Sequence, residues 1–334
     1  MEGFAVSFGY KVYFTERARN RVVCWDPDRG DSEVVAGEPK DGAADQKLKS
    51  PYGLAMDSAG CLLIADKRNS RLCRLRNGRL EKVQTRDGDG HRRSRFTERV
   101  DNPENPTGVF VEKGGTLLVA YSDDFTIYRV RADGTLQLVL GVPPNRHALF
   151  EGYFETVKAD KLPQTPLHMP TGVVEASDGT IYFIERGYQA VREYKLGGDL
   201  KSVFMRGQDL GPVQPLPKKL SRFGFWPRYP SGLALDAREN LYVADFVYGC
   251  VFMADLGSGD VTTISTGAGS KPAAICFGPD GTLWVLDLGL AQVKGYRKSS
   301  RGAWQAAEAT LKTESDPAAL SCAALGGAGI VCGQ

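Results

Sequence analysis

The chain holds three histidines, His91, His147 and His168. Histidine is the usual side chain for proton transfer or metal ligation near neutral pH. Glu185-Arg186 sets an acid beside a cation, and Ser122-Asp123-Asp124 sets two carboxylates together. A hydrolase or lyase site can be assembled from these, with His168 or His147 as base, Glu185 as acid or metal ligand, and Arg186 or Arg222 binding an anion. No Cys/His cluster has metal-ligand spacing, so no cofactor is defined. A divalent cation, calcium or zinc, is what such a site would take, with Glu2 and Glu185 as the residues to ligate it. A different chemistry is offered by Lys218-Lys219-Leu220-Ser221-Arg222-Phe223-Gly224-Phe225-Trp226-Pro227-Arg228-Tyr229, where cations alternate with aromatic rings. Arg222, Trp226, Arg228 and Tyr229 can stack on bases and contact phosphates, or hold an acidic ligand. The same aromatics can instead fold the segment onto the body of the protein while the cations stay solvated. His91-Arg92-Arg93-Ser94-Arg95 forms a second basic cluster. There is no G-x-S-x-G, P-loop, H-E-x-x-H or dinucleotide fingerprint.

The elements that must position these residues are set by a repeat. Pro51 to Leu75 reads as three short strands: an apolar run after Pro-x-Gly, a turn at Ser58-Ala59-Gly60, a second apolar run closed by Asp66, then an alternating run from Arg71. The pattern returns at Pro106-Thr107-Gly108, Pro170-Thr171-Gly172, Pro230-Ser231-Gly232 and Pro272-Ala273-Ala274. A period of about 40 to 60 residues with four short strands per unit predicts an all-β, six-bladed β-propeller of four-stranded antiparallel blades. The blades fall near 3–37, 53–85, 107–141, 171–205, 231–266 and 272–311, in one domain spanning 1–334. Residues 316–334 copy the first half of a repeat, and either close blade one as a hairpin or open a partial seventh blade.

Strand alternation puts the connections from each outer strand to the next inner strand on the same face as the turns between strands two and three. The long connections, about residues 38–51, 86–106, 142–170 and 206–230, are all of the first kind, and connections of that length tend to carry function. All three histidines fall in them, as surface residues in polar loops also would. Second strands end at Glu16, Asp66, Tyr121, Glu185, Asp245 and Asp287. A ring of carboxylates there can hold a cation, or can satisfy backbone donors in the turn between strands two and three. Arg186, Asp123, Asp124 and Asp245 join the aromatic-basic run as candidate ligand-binding residues near the axis.

Pro-x-Gly-Leu-Ala, Gly-x-Leu-x-Ile-Ala-Asp and Asn69-Ser70-Arg71-Leu72, with the linker from Glu38 to Pro51, resemble the NHL-repeat family of β-propellers over nearly the whole chain. That family lies in the six-bladed group with gluconolactonase-like, strictosidine-synthase-like and peptidyl-amidoglycolate-lyase proteins. The resemblance implies a propeller whose repeated residues are structural: the glycine permits a tight turn into the inner strand, while Asp66, Asn69 and Arg71 cap a turn and pair across repeats. It further implies that a basic face can bind single-stranded RNA. Amidoglycolate lyases place zinc-binding histidines directly before the inner-strand glycine; here those positions are Glu2, Tyr52, Thr107, Thr171, Ser231 and Ala273, with His168 three residues away. Of the rim residues that hold a divalent ion in gluconolactonase-like proteins, only Glu2 has a counterpart.

The 334 residues are 42% hydrophobic and 25% charged, ample for a large core. A net charge of +2 gives no strong global attraction to nucleic acid or membrane. No apolar run nears the roughly 18 residues of a membrane span, and Met1-Glu2-Gly3-Phe4 lacks the features of a signal peptide, so a soluble intracellular protein is expected. Seven cysteines, an odd number without CxxC, read as buried free thiols. The function expected is a binding module, taking a protein, peptide or small anionic ligand on the face with the long loops. An axial hydrolase or lyase site and RNA binding are the alternatives.

Overall fold

The computed structural model describes residues 3–7, 9–37, 44–87, 103–141, 156–159, 165, 167–204, 227–300 and 302–312. Six four-stranded antiparallel units follow one another in a ring, as the repeat predicts. Inner strands are Phe4–Val6, Pro51–Met56, Pro106–Val111, Pro170–Glu175, Pro230–Leu235 and Pro272–Phe277. Second strands are Val12–Glu16, Leu62–Asp66, Leu117–Tyr121, Ile181–Glu185, Leu241–Asp245 and Leu283–Asp287. Five of these six second strands are buried at every residue, and so read as near-continuous apolar runs closed by one polar residue.

The core divides into six apolar clusters, one at each joint between neighbouring blades. Blade six meets blade one through Trp284 and Trp25, whose rings stand edge to face at 5.6 Å. Each sheet draws its four blade strands from one contiguous stretch of chain, with no strand exchanged between the first and last blades among the described residues. The repeat copy at 316–334 lies outside them.

Two expectations need correction. Part of the long connections is built into the sheets: Arg86–Asp87 pairs in parallel with Thr135–Gly141 of blade three, and Thr156–Val157 pairs with Leu200–Phe204 of blade four. These short strands cover outer edges that would otherwise offer unpaired backbone groups. The inner-strand glycine also serves a different purpose from a tight turn, since neither Gly53 nor Gly108 has a positive φ. A Cβ on Gly53 would stand 2.6 Å from the Thr107 carbonyl oxygen, and one on Gly108 3.2 Å from that of Thr171. At Gly3, Gly53, Gly108 and Gly232 glycine lets one inner strand approach the backbone of the next, whereas Gly172 has room for a Cβ and blade six carries Ala274.

Candidate functional site

The acidic residue that closes a second strand is buried, and its oxygens are taken up by donors. Asp245 accepts from the backbone N–H groups of Arg228 and Tyr229 on one side, and from Val247 and Tyr248 at 2.9 and 2.8 Å on the other. Asp287 accepts from Lys271 N–H at 2.8 Å, Leu290 N–H at 3.1 Å and the Ser270 hydroxyl. Asp66 accepts from Lys49 N–H, the Asn69 amide and the Arg71 guanidinium at 2.7–2.8 Å. Each carboxylate therefore latches the incoming interblade segment to the end of strand two, besides capping the turn at Asp245 and Asp287. Asn69 and Arg71 pair within their own repeat and with the Lys47 carbonyl of that incoming segment. In blade three Tyr121 stands at the latch position, and Asp124, three residues on, accepts from Glu104 N–H.

Glu185 does the same work in blade four. One oxygen accepts His168 N–H at 2.7 Å and the other lies 3.4 Å from Nε of Arg192, which is itself 2% exposed. Burial lifts the Glu185 pKa, opposed by the Arg192 charge and the His168 N–H. The His168 ring rests on Gly187, where a Cβ would collide with it, and meets the Tyr188 ring edge to face at 4.7 Å. Burial lowers its pKa. Glu185 and His168 are thus neighbours, joined through a backbone donor rather than ring to carboxylate.

One residue further along, the chain points toward the axis. Arg17, Lys67 and Arg186 follow the closing acids of blades one, two and four, and all three converge on Tyr52. The Arg17 guanidinium lies 5.0 Å and the Lys67 ammonium 5.4 Å from the centre of the ring. Arg186 reaches from blade four to donate to the Tyr52 hydroxyl at 2.9 Å, and also lies 5.7 Å from the centre of the Tyr229 ring. Asp123 meets Lys67 at 3.3 Å, and Lys271 lies 5.7 Å from the centre of Phe246, against which Tyr229 packs. Arg228 is exposed next to this group.

Of these side chains, Tyr52 and Arg186 line the loop-face end of an axial channel of about 340 Å³, whose wall is formed by the six inner strands. Arg186 is the one charged residue in its described wall. Thr107 donates to the carbonyls of Ala120 and Pro170, and Ser231 to those of Ala244 and Pro272, so the mouth hydroxyls staple neighbouring inner strands. Among the described residues no group of three His, Cys, Asp or Glu is placed to hold a metal ion, and no helix is long and apolar enough to cross a membrane. Cys24, Cys61, Cys73 and Cys250 are buried free thiols, and Cys276 is partly exposed in the channel wall.

Of the predicted site residues, Arg186, Tyr229 and Asp123 stand together at the mouth, while Asp124, Asp245, Glu185 and His168 lie in the latches. Glu2, His91, His147, Arg222 and Trp226, with most of both basic clusters, fall outside the described residues. Sequence reasoning passed over Tyr52, Arg17 and Lys67. The signal was present at Tyr52, the one aromatic among Glu2, Tyr52, Thr107, Thr171, Ser231 and Ala273.

No family model matches the chain, and no curated protein matches its sequence. Solved structures do resemble it. Virginiamycin B lyase from Staphylococcus aureus superposes with a TM-score of 0.56 at 16% identity, covering 95% of this chain and 86% of that one. A gluconolactonase from Xanthomonas campestris superposes with a TM-score of 0.56 at 15% identity, covering 85% and 82%. A chain of the nidogen/laminin complex gives 0.55 at 15% identity, covering 85% and 88%. Such likeness establishes the shared fold, a six-bladed propeller, whose hosts serve unrelated functions.

Proposed function

We propose that this propeller is a binding module that holds an anionic ligand at the axial mouth of its loop-bearing face. The observation that carries the reading is the convergence of Arg17, Lys67 and Arg186, from three blades, on the ring of Tyr52. Cations gathered at a concave mouth focus positive potential there, offset in part by Asp123 against Lys67. Arg186 can present its fork to a carboxylate or phosphate, with Tyr52 and Tyr229 fixing its plane. Glu185 is held by the His168 backbone N–H and by Arg192 in the joint of blade four, which favours recognition at the mouth over an acid role for this carboxylate.

Calorimetric titration with inorganic phosphate and acetate tests this. Arg186→Met should weaken binding at least tenfold, about 1.4 kcal/mol, and Tyr52→Phe less. Binding that persists undiminished in Arg186→Met overturns the reading.

A further inference from the structure

Half of the large apolar side chains that stand exposed among the described residues lie in one sector of the loop-bearing face. In blades one, two and four the turn after the second strand opens with a cation, whereas blades five and six carry Phe246-Val247-Tyr248 and Leu288-Gly289-Leu290 there. Val247, Tyr248 and Leu290 are 49%, 51% and 37% exposed, while Phe246 and Leu288 turn inward and are buried. The remaining exposed ones, Tyr10, Val34 and Leu196, are scattered singly, as on any protein surface.

The short connection 266–271 runs between these two turns and touches both. The Thr266 hydroxyl donates to the Gly249 carbonyl at 2.7 Å, and a Cβ on Gly289 would collide with the Gly269 carbonyl oxygen. Gly267, Ala268 and Gly269 are exposed and carry almost no side chain, so the strip between the turns is low, with Leu290 lying across it. Cations are set into the same strip. Arg228 and Val247 donate their N–H groups to the two oxygens of Asp245, and Lys271 and Leu290 donate theirs to one oxygen of Asp287. Each latch thus holds an exposed cation beside an exposed apolar side chain. The Lys271 ammonium lies 5.7 Å from the centre of the Phe246 ring, between the two apolar turns. Asp245 and Asp287 are buried, and no other carboxylate occurs in 227–229, 246–249, 266–271 or 288–292.

We propose that this sector docks an acidic peptide segment of a partner protein, one whose carboxylates stand beside apolar side chains. The proposal goes beyond the anion site at the mouth, since Arg17, Lys67 and Arg186 take no part in it. Carboxylates meet Arg228 and Lys271, and the partner's apolar side chains cover Val247, Tyr248 and Leu290. Nucleic acid suits the sector less well, because bases stack on flat rings and Val247 and Leu290 are aliphatic.

The test is a fluorescence-anisotropy titration of the full chain against a labelled peptide alternating glutamate with leucine. Two control peptides carry serine in place of leucine, or lysine in place of glutamate. The first peptide should bind at least about tenfold tighter than either control, and its affinity should fall with added salt. Val247→Ser combined with Leu290→Ser should cost about tenfold and leave the salt dependence in place. Arg228→Gln combined with Lys271→Gln should weaken binding and flatten the salt dependence. Should a double variant not fold, the three peptides on the unaltered protein decide. Equal binding of the leucine and serine peptides, or undiminished binding in both folded double variants, overturns the proposal. So does an oligouridylate bound in place of the peptide, or self-association that Leu290→Ser abolishes, since these give the sector to nucleic acid or to a second copy of the chain. Peptide binding without any binding of phosphate or acetate would uphold the proposal and overturn only the mouth site. Arg186-dependent binding of acetate with no peptide binding would do the reverse.

Discussion

In blades one, two and four the residue that closes the second strand and the residue after it differ in almost every physical respect. Glu16, Asp66 and Glu185 are buried and held by donors, whereas Arg17, Lys67 and Arg186 are partly exposed and gather at an opening. A step of one position turns the chain from scaffold to surface because the carboxylate points back toward the arriving connection while the next side chain begins the turn over the axis. Acidity at the first position thus serves stability, and the cations at the second are the residues on which the proposed anion binding rests.

The largest test of this contrast is Asp245→Ala. It removes the acceptor of four backbone donors in half-buried hydrogen bonds, and should cost about 2–3 kcal/mol in denaturant unfolding. Arg186→Met, by comparison, should leave the unfolding midpoint nearly unchanged while removing anion binding. Should Asp245→Ala unfold like the unaltered protein, the latch has no energetic content.

A carboxylate without backbone donors sharpens the comparison. At the opposite face Glu175 shares Arg129 with Glu112, the guanidinium meeting them at 2.9 and 2.6 Å. Burial and the neighbouring Glu112 charge push the Glu175 pKa up to about 7. A carboxyl whose pKa is raised on folding binds its proton more tightly when native, so its contribution to stability falls as pH rises from about 4.5 toward 7 and then levels off. Glu175→Gln should flatten that slope and add about 1–2 kcal/mol at pH 8, measured by unfolding across pH. A parallel pH profile in the variant would refute the assignment.

The smallest effect is expected in blade three. Asp124 substitutes for the missing latch through one backbone donor at a half-buried position, so Asp124→Ala should cost only about 1 kcal/mol by thermal melting. A loss as large as that of Asp245→Ala would mean that Asp124 is a full latch, and that blade three is no exception.

The fold was legible because the repeat states it six times, and Pro-x-Gly followed by a buried second strand leaves little room for another architecture. The latches were half legible. Turn capping by acids is local and visible in spacing, as at Asp245 with Val247 and Tyr248, but the grip on Lys49, His168 or Lys271 depends on where a connection returns. The mouth was least legible, since Arg186 and Tyr52 are 134 residues apart and meet only when the ring closes. His168 attracted attention through its rarity, yet its ring lies in a turn against Tyr188.

The contact of Gly53 with the Thr107 carbonyl oxygen, and of Gly108 with that of Thr171, carries a further consequence. Where neighbours meet main chain to main chain, the circumference of the ring is fixed by covalent dimensions and by the number of blades, as the gauge of a tube is fixed by its mould. Substitution above that level can change what is bound at the mouth without altering the gauge itself.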